Sequence, residues 1–152
     1  MHLILIALLL FAQDMPLTHL VINGSESAEF TTSDSNACYS DDTNNALNAQ
    51  LVDPSSAIIV SFTVLGTVGN HPAQNQLTAL TLDGGADDPF VNWSSSSGTV
   101  TLDDVAANVP VEGGDTTVAA STHGVLGHID ADLTSRQGSF HISGTFACHS
   151  PL

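Results

Sequence analysis

The sequence has no lysine and one arginine, Arg136, set against 13 Asp and 3 Glu, which leaves a formal net charge of -15. Nucleic-acid surfaces neutralise phosphates with clustered Lys and Arg, and this chain has nothing to cluster. Docking on anionic lipid headgroups is excluded for the same reason. Charged residues are only 11% of the chain, so the acidity comes from missing cations, while Ser, Thr, Asn and Gly supply surface polarity. Aromatics are also few, with one Trp, one Tyr and six Phe. That leaves little for a sugar-stacking platform, and one Arg does not make an anion clamp. Trp93, close after Phe90, reads as core rather than as a ligand platform.

Catalytic motifs are missing as well. There is no G-x-S-x-G elbow, no H-E-x-x-H, no G-x-G-x-x-G and no P-loop. Two carboxylates brought together only by folding remain the one hydrolytic arrangement that a sequence does not reveal.

The one long apolar run is LILIALLLFA, Leu3 to Ala12. Ten residues fall well short of the roughly 20 that span a bilayer. The run has the length of a secretory signal core, small residues near its end, and the polar Gln13 and Asp14 directly after it. It lacks the Lys or Arg with which such signals open; only His2 and the amino terminus carry positive charge there. The expected product is a single β domain over residues 13–152, secreted or held at the cell surface. No Cys follows the run to accept a lipid anchor. The two cysteines, Cys38 and Cys148, are an even count in an exported chain, so a disulfide tying its two ends is expected. The alternative is a pair of unlinked buried thiols. Neither Cys lies in a C-x-x-C motif that would suggest redox work.

What the chain does contain is short alternations of apolar residues with Ser or Thr, punctuated by Gly, Pro, Asn and Asp. This is the pattern of half-buried antiparallel strands. Strands are expected at Leu17–Asn23, Ala57–Leu65, Leu77–Leu82, Phe90–Trp93 and Thr99–Leu102, with polar connections at Gly24–Tyr39, Gly66–Gln76 and the Ser run before Gly98. Ala46–Leu51 has room for one helical turn before Pro54. The spacing suits an antiparallel β-sandwich, with a small β-barrel as the alternative, and leaves no room for βαβ units. A hairpin over residues 123–149 is the clearest pairing. Leu133 opposite Phe140 puts Ala131 opposite Ile142 and Val125 opposite Cys148, with the apolar partners on one face.

The same register puts His128, Asp130 and Asp132 on the other face, with His141 across from Asp132. Imidazoles and carboxylates at strand spacing suit Zn2+, while a solvated His–Asp pair is the plainer reading. Acidic turns at Asp41–Asp42, at Asp83 with Asp87 and Asp88, and at Asp103–Asp104 offer oxygen ligands to Ca2+. None fits the EF-hand pattern, and Asp and Gly serve tight turns on their own account. No organic cofactor is expected. Asn23 and Asn92 head N-x-[ST] triplets that accept glycans in an organism that glycosylates.

Together these features point to an exported, non-catalytic β domain. The expected role is a cell-surface, matrix or filament subunit, adhesive or partner-binding, whose partner is an extracellular protein or a second copy joined by strand addition through Leu17–Asn23. The alternatives are an exported metal-binding protein using the His/Asp face, and a small hydrolase or inhibitor with its site on the loops Asp83–Phe90 and Val111–Thr116. The seven His titrate in mild acid, which lowers self-repulsion and favours association there.

Overall fold

The computed structural model describes residues 18–32, 36–41, 43–53, 57–82, 90–110 and 121–149. The signal-like run, the loop carrying Asp83, Asp87 and Asp88, and the Val111–Thr116 loop lie outside these residues. Ten strands account for nearly all of what is described: β1 Thr18–Gly24, β2 Ala28–Thr32, β3 Asn36–Asp41, β4 Ala46–Val52, β5 Ile58–Leu65, β6 Gly69–Pro72, β7 Leu77–Thr81, β8 Val91–Pro110, β9 Ser121–Ser135 and β10 Gly138–His149. No helix occurs among the described residues.

The pairings run β2-β1-β10-β3-β4-β5-β7-β8-β6, and β9 pairs with both β10 and β8. A path therefore leads from β10 through β3, β4, β5, β7, β8 and β9 back to β10. The sheet curls around one core instead of lying open. All contacts are antiparallel except β10 with β3, which is parallel and spans only Cys148 opposite Asn36 and His149 opposite Ala37. Strand alternation sends one side of each strand inward, as in β4, where Leu47, Ala49 and Leu51 are buried while Asn48 and Gln50 face out. Trp93 packs on Phe140 with ring centroids 4.5 Å apart, and Phe62 packs on Phe146 at 5.0 Å. The indole N–H of Trp93 donates to Thr81 Oγ1 at 3.3 Å, so its one polar atom is satisfied inside the core.

The β9–β10 hairpin has the register that alternation implies, with Leu133 opposite Phe140, Ala131 opposite Ile142 and Val125 opposite Cys148. Gly127 faces Phe146 across it. A Cβ at Gly127 would collide first with the Thr101 carbonyl oxygen of β8 and then with Phe146 Cζ at 2.6 Å, so backbone and ring together cover a position that only glycine leaves open.

Five sequence expectations give way. Ala46–Leu51 is strand and not a helical turn, because its apolar residues recur every second position and each is buried. The connection Gly24–Tyr39 contains β2 and the start of β3, and Gly66–Gln76 contains β6. The serine run does not break the chain: β8 continues through it with a bulge between Ser95 and Ser97. Ser95 points inward, its hydroxyl donating to the Ala73 carbonyl and accepting from the Leu77 amide, so a buried polar side chain ties down the β6–β7 turn. Asp103–Asp104 is likewise a bulged part of β8 and not a turn. The described part of the expected first strand lies in β1, Thr18–Gly24, which is paired on both sides within the chain, by β2 and β10. Buried Phe30 is what draws β2 over it.

Cys38 and Cys148 form the disulfide, with Cα atoms 5.5 Å apart and both side chains fully buried. It closes 110 residues of chain, which in the chain-entropy treatment is worth about 4–5 kcal/mol. Replacing both cysteines by Ala is expected to lower unfolding stability by that amount in a urea titration; an unchanged midpoint would contradict the assignment. Gly127→Ala is expected to cost about 1–3 kcal/mol by overpacking against Phe146, read from the same titration.

Candidate functional site

The outer surface divides into two regions of different chemistry. Over β8, β9, β10, β1 and β2 the outward side chains include several ionisable groups. His141 lies between two carboxylates, its Nδ1 2.9 Å from Asp132 Oδ1 and its Nε2 3.6 Å from Asp130 Oδ1. His128 turns instead to Asp103, 3.0 Å away, and His19 on β1 pairs with Glu29 on β2 at 2.8 Å. In a chain with one Arg, imidazoles stand where Lys or Arg commonly sit as the cross-strand partners of carboxylates.

The expected metal face is therefore brought together only in part. Asp130, Asp132 and His141 adjoin one another, whereas His128 is engaged by Asp103. Both ring nitrogens of His141 point at carboxylates, while a metal needs a nitrogen and carboxylate oxygens converging on one point. Among the described residues, no three His, Cys, Asp or Glu side chains form such a group. The calcium expectation at Asp83, Asp87 and Asp88 falls outside the described residues. Asp41 accepts from the Thr43 amide at 3.0 Å and the Asn44 side-chain amide at 2.7 Å, which is turn chemistry ahead of Asn45 at φ 49°. These bonds, the Asn44 side chain foremost, hold its carboxyl below the usual value. Asp104 accepts from the Ala106 amide at 2.8 Å inside the β8 bulge. Asn23 and Asn92 are both exposed, on β1 and β8.

Ser97, Asp132 and His141 make a row across three strands, with Ser97 Oγ donating to Asp132 Oδ2 at 2.9 Å. The order is wrong for nucleophilic catalysis. An activated serine needs the imidazole beside it with the carboxylate behind; here the carboxylate is in the middle and Ser97 has no base. The bonds from His141, and then from Ser97, hold the Asp132 carboxyl below its usual value, the opposite of what a general acid or base at neutral pH requires.

The second region, over β3, β4, β5 and β7, carries one carboxylate among the described residues, Asp41 at the end of β3, and is otherwise uncharged. Tyr39 stands opposite Asn48, Asn48 opposite Thr63, Gln50 opposite Ser61 and Ser61 opposite Thr78. Thr63 Oγ1 donates to Asn48 Oδ1 at 2.7 Å. These side chains, with Asn75 and Gln76, line a groove of about 400 Å³ in which no charged group takes part. A second depression of about 350 Å³ shares Thr63 and Gln76 with it and continues past Leu65, Pro72 and His71. His71 is nearly buried, and its Nε2 donates to the Thr67 carbonyl at 2.7 Å. Trp93 is core, but the only Tyr is 57% exposed at the rim of the first groove. Sequence reading passed over this region because Asn48, Gln50, Ser61, Thr63 and Thr78 carry no motif. Their one signal is that every outward position between Ala46 and Thr81 is free of charge.

On the β2 edge the Thr31 amide donates to Oδ2 of the buried Asp53 at 3.3 Å, which leaves one fewer N–H for an added strand there.

Because its charged form is the favoured one, Asp132 contributes stability above the usual carboxylate value that is lost as pH falls through its lowered value. A carboxyl-detected NMR titration is expected to find Asp132 titrating below ordinary exposed Asp, and to find it raised in His141→Ala and, by less, in Ser97→Ala. No change in His141→Ala would contradict the pairing. The chain matches no protein-family model, no curated protein and no solved structure.

Proposed function

We propose that this protein is an exported, non-catalytic β domain that binds an extracellular partner, serving as an adhesive or structural subunit at the cell surface or in a matrix. The observation that carries this reading is the uncharged concave region around Tyr39, laid over a sheet that a buried disulfide closes. A disulfide in the core suits an oxidising compartment, where it forms and persists. A rigid sheet holds the outward side chains of β3, β4, β5 and β7 in rows, which lowers the ordering cost of binding. Among the described residues no helix is long and apolar enough to cross a membrane.

Thiol trapping and intact mass on fractionated native cells test the first half of the proposal. The expected result is protein outside the cytoplasm with no alkylatable thiol; a reduced cytoplasmic protein would overturn it. The second half is tested with purified, fluorescently labelled protein added to the cells or matrix that produce it. Saturable retention is expected, and failure to be retained would remove the binding role.

A further inference from the structure

We propose that the trough running from Tyr39 to Pro72 binds a strand of neutral polysaccharide. The inference rests on the extracellular binding role above and names the chemistry of the partner.

Three observations carry it. The first is the absence of charge. The polar groups of the groove lining are amides, hydroxyls and one phenol, with no carboxylate or cation among them. A cationic or anionic ligand would find no counter-charge there, and complementarity therefore selects a neutral one. The second is the kind of hydrogen bonding. Asn48, Gln50 and Gln76 each carry an acceptor oxygen and a donor NH2, and the Ser61 hydroxyl both donates and accepts, while the hydroxyls of Thr63 and Thr78, which donate to Asn48 Oδ1 and to the Ser61 carbonyl, keep acceptor lone pairs. Sugar hydroxyls, which also do both, are matched by that set. Tyr39 adds an exposed ring at the rim, whose face suits the apolar C–H side of a pyranose while its hydroxyl stays wet.

The third is shape. Each depression, about 400 and about 350 Å³, falls within the roughly 300–1,000 Å³ range of small-ligand sites. The two share Thr63 and Gln76 in their linings, and so adjoin over β3, β4 and β5 beside the β6–β7 turn. From β3 to β5 is two strand spacings, about 10 Å. The chemistry changes along it from amides and hydroxyls at the Tyr39 end to Leu65 and Pro72 at the other, which offers the polar edges and the apolar faces of successive sugar rings different places to rest. An elongated, open trough fits a continuing polymer better than the tip of a branched protein-linked glycan.

The test uses the purified full-length oxidised protein with neutral probes: cellohexaose, maltohexaose and hexa-N-acetylchitohexaose, titrated by calorimetry and by backbone-amide NMR. At least one is expected to bind, with shifts confined to β3, β4, β5 and the β6–β7 turn. Affinity should fall at least tenfold in Tyr39→Ala, be kept within about threefold in Tyr39→Phe, and stay nearly constant between about 0.05 and about 0.5 M NaCl, since no ion pair is involved. Gln50→Ala, with its thermal melt checked against the parent, should weaken binding independently of the ring.

Failure of all three neutral probes, binding insensitive to Tyr39→Ala and Gln50→Ala, or binding abolished by salt would each overturn the inference. If labelled protein is still retained on cells and none of the oligosaccharides competes, the polysaccharide assignment falls while the binding role stands. Absence of retention removes that role itself. Competition by a protein-linked glycan alone also overturns the assignment.

Discussion

The rest of the structure depends on one covalent contact, the Cys38–Cys148 bond between β3 and the end of β10. Every other seam of the curled sheet is an antiparallel ladder; β9 and β10 pair along the whole of β10. The seam that completes the curl is parallel and, among the described residues, spans two positions. Ladder hydrogen bonds over so short a stretch contribute little net stability, because strand and water compete for the same groups. The disulfide takes over that task where it is most effective, deep in the core and across 110 residues of chain. Strands β4, β5 and β7 run between β3 and β8, so this seam fixes one end of those outer rows while the β7–β8 ladder fixes the other.

Closure has an electrostatic consequence. With one Arg and no Lys, the chain has few cations to set against its 16 carboxylates, and three imidazoles, His19, His128 and His141, each meet an acidic side chain across strands. All three pairs sit on β8, β9, β10, β1 and β2. Over β3, β4, β5 and β7 the outward rows are mainly amides and hydroxyls, with Asp41 at the end of β3 as their one carboxylate among the described residues. A count of charges along the chain does not display that uneven division.

Much of the fold was legible because alternation with period two leaves a direct trace. The hairpin register, the outward placement of His128, Asp130, Asp132 and His141, and β5 all follow from it. Legibility failed where polar residues do structural work. Ser95 is buried and bonded, so a run of serines that looks like a linker is strand interior. Asp103 and Asp104 mark bulges that bend β8, where composition alone suggested a turn. Leu47, Ala49 and Leu51 were read as a helical turn because a short apolar segment does not distinguish the two periods. The grouping of Tyr39 with Asn48, Thr63 and Thr78 was illegible for another reason: these residues come from four strands, and only cross-strand register places them together.

Hydrogen–deuterium exchange on the oxidised protein and on protein with both cysteines reduced and blocked tests the closure most directly. Amides of β3 and of β10 from Ala147 to His149 are predicted to lose protection first on reduction, followed by β4, while the paired body of β9 and β10 keeps its protection longest. Equal protection of β3 in the two states would contradict the account, because the curl would then be held by something other than the bond between Cys38 and Cys148.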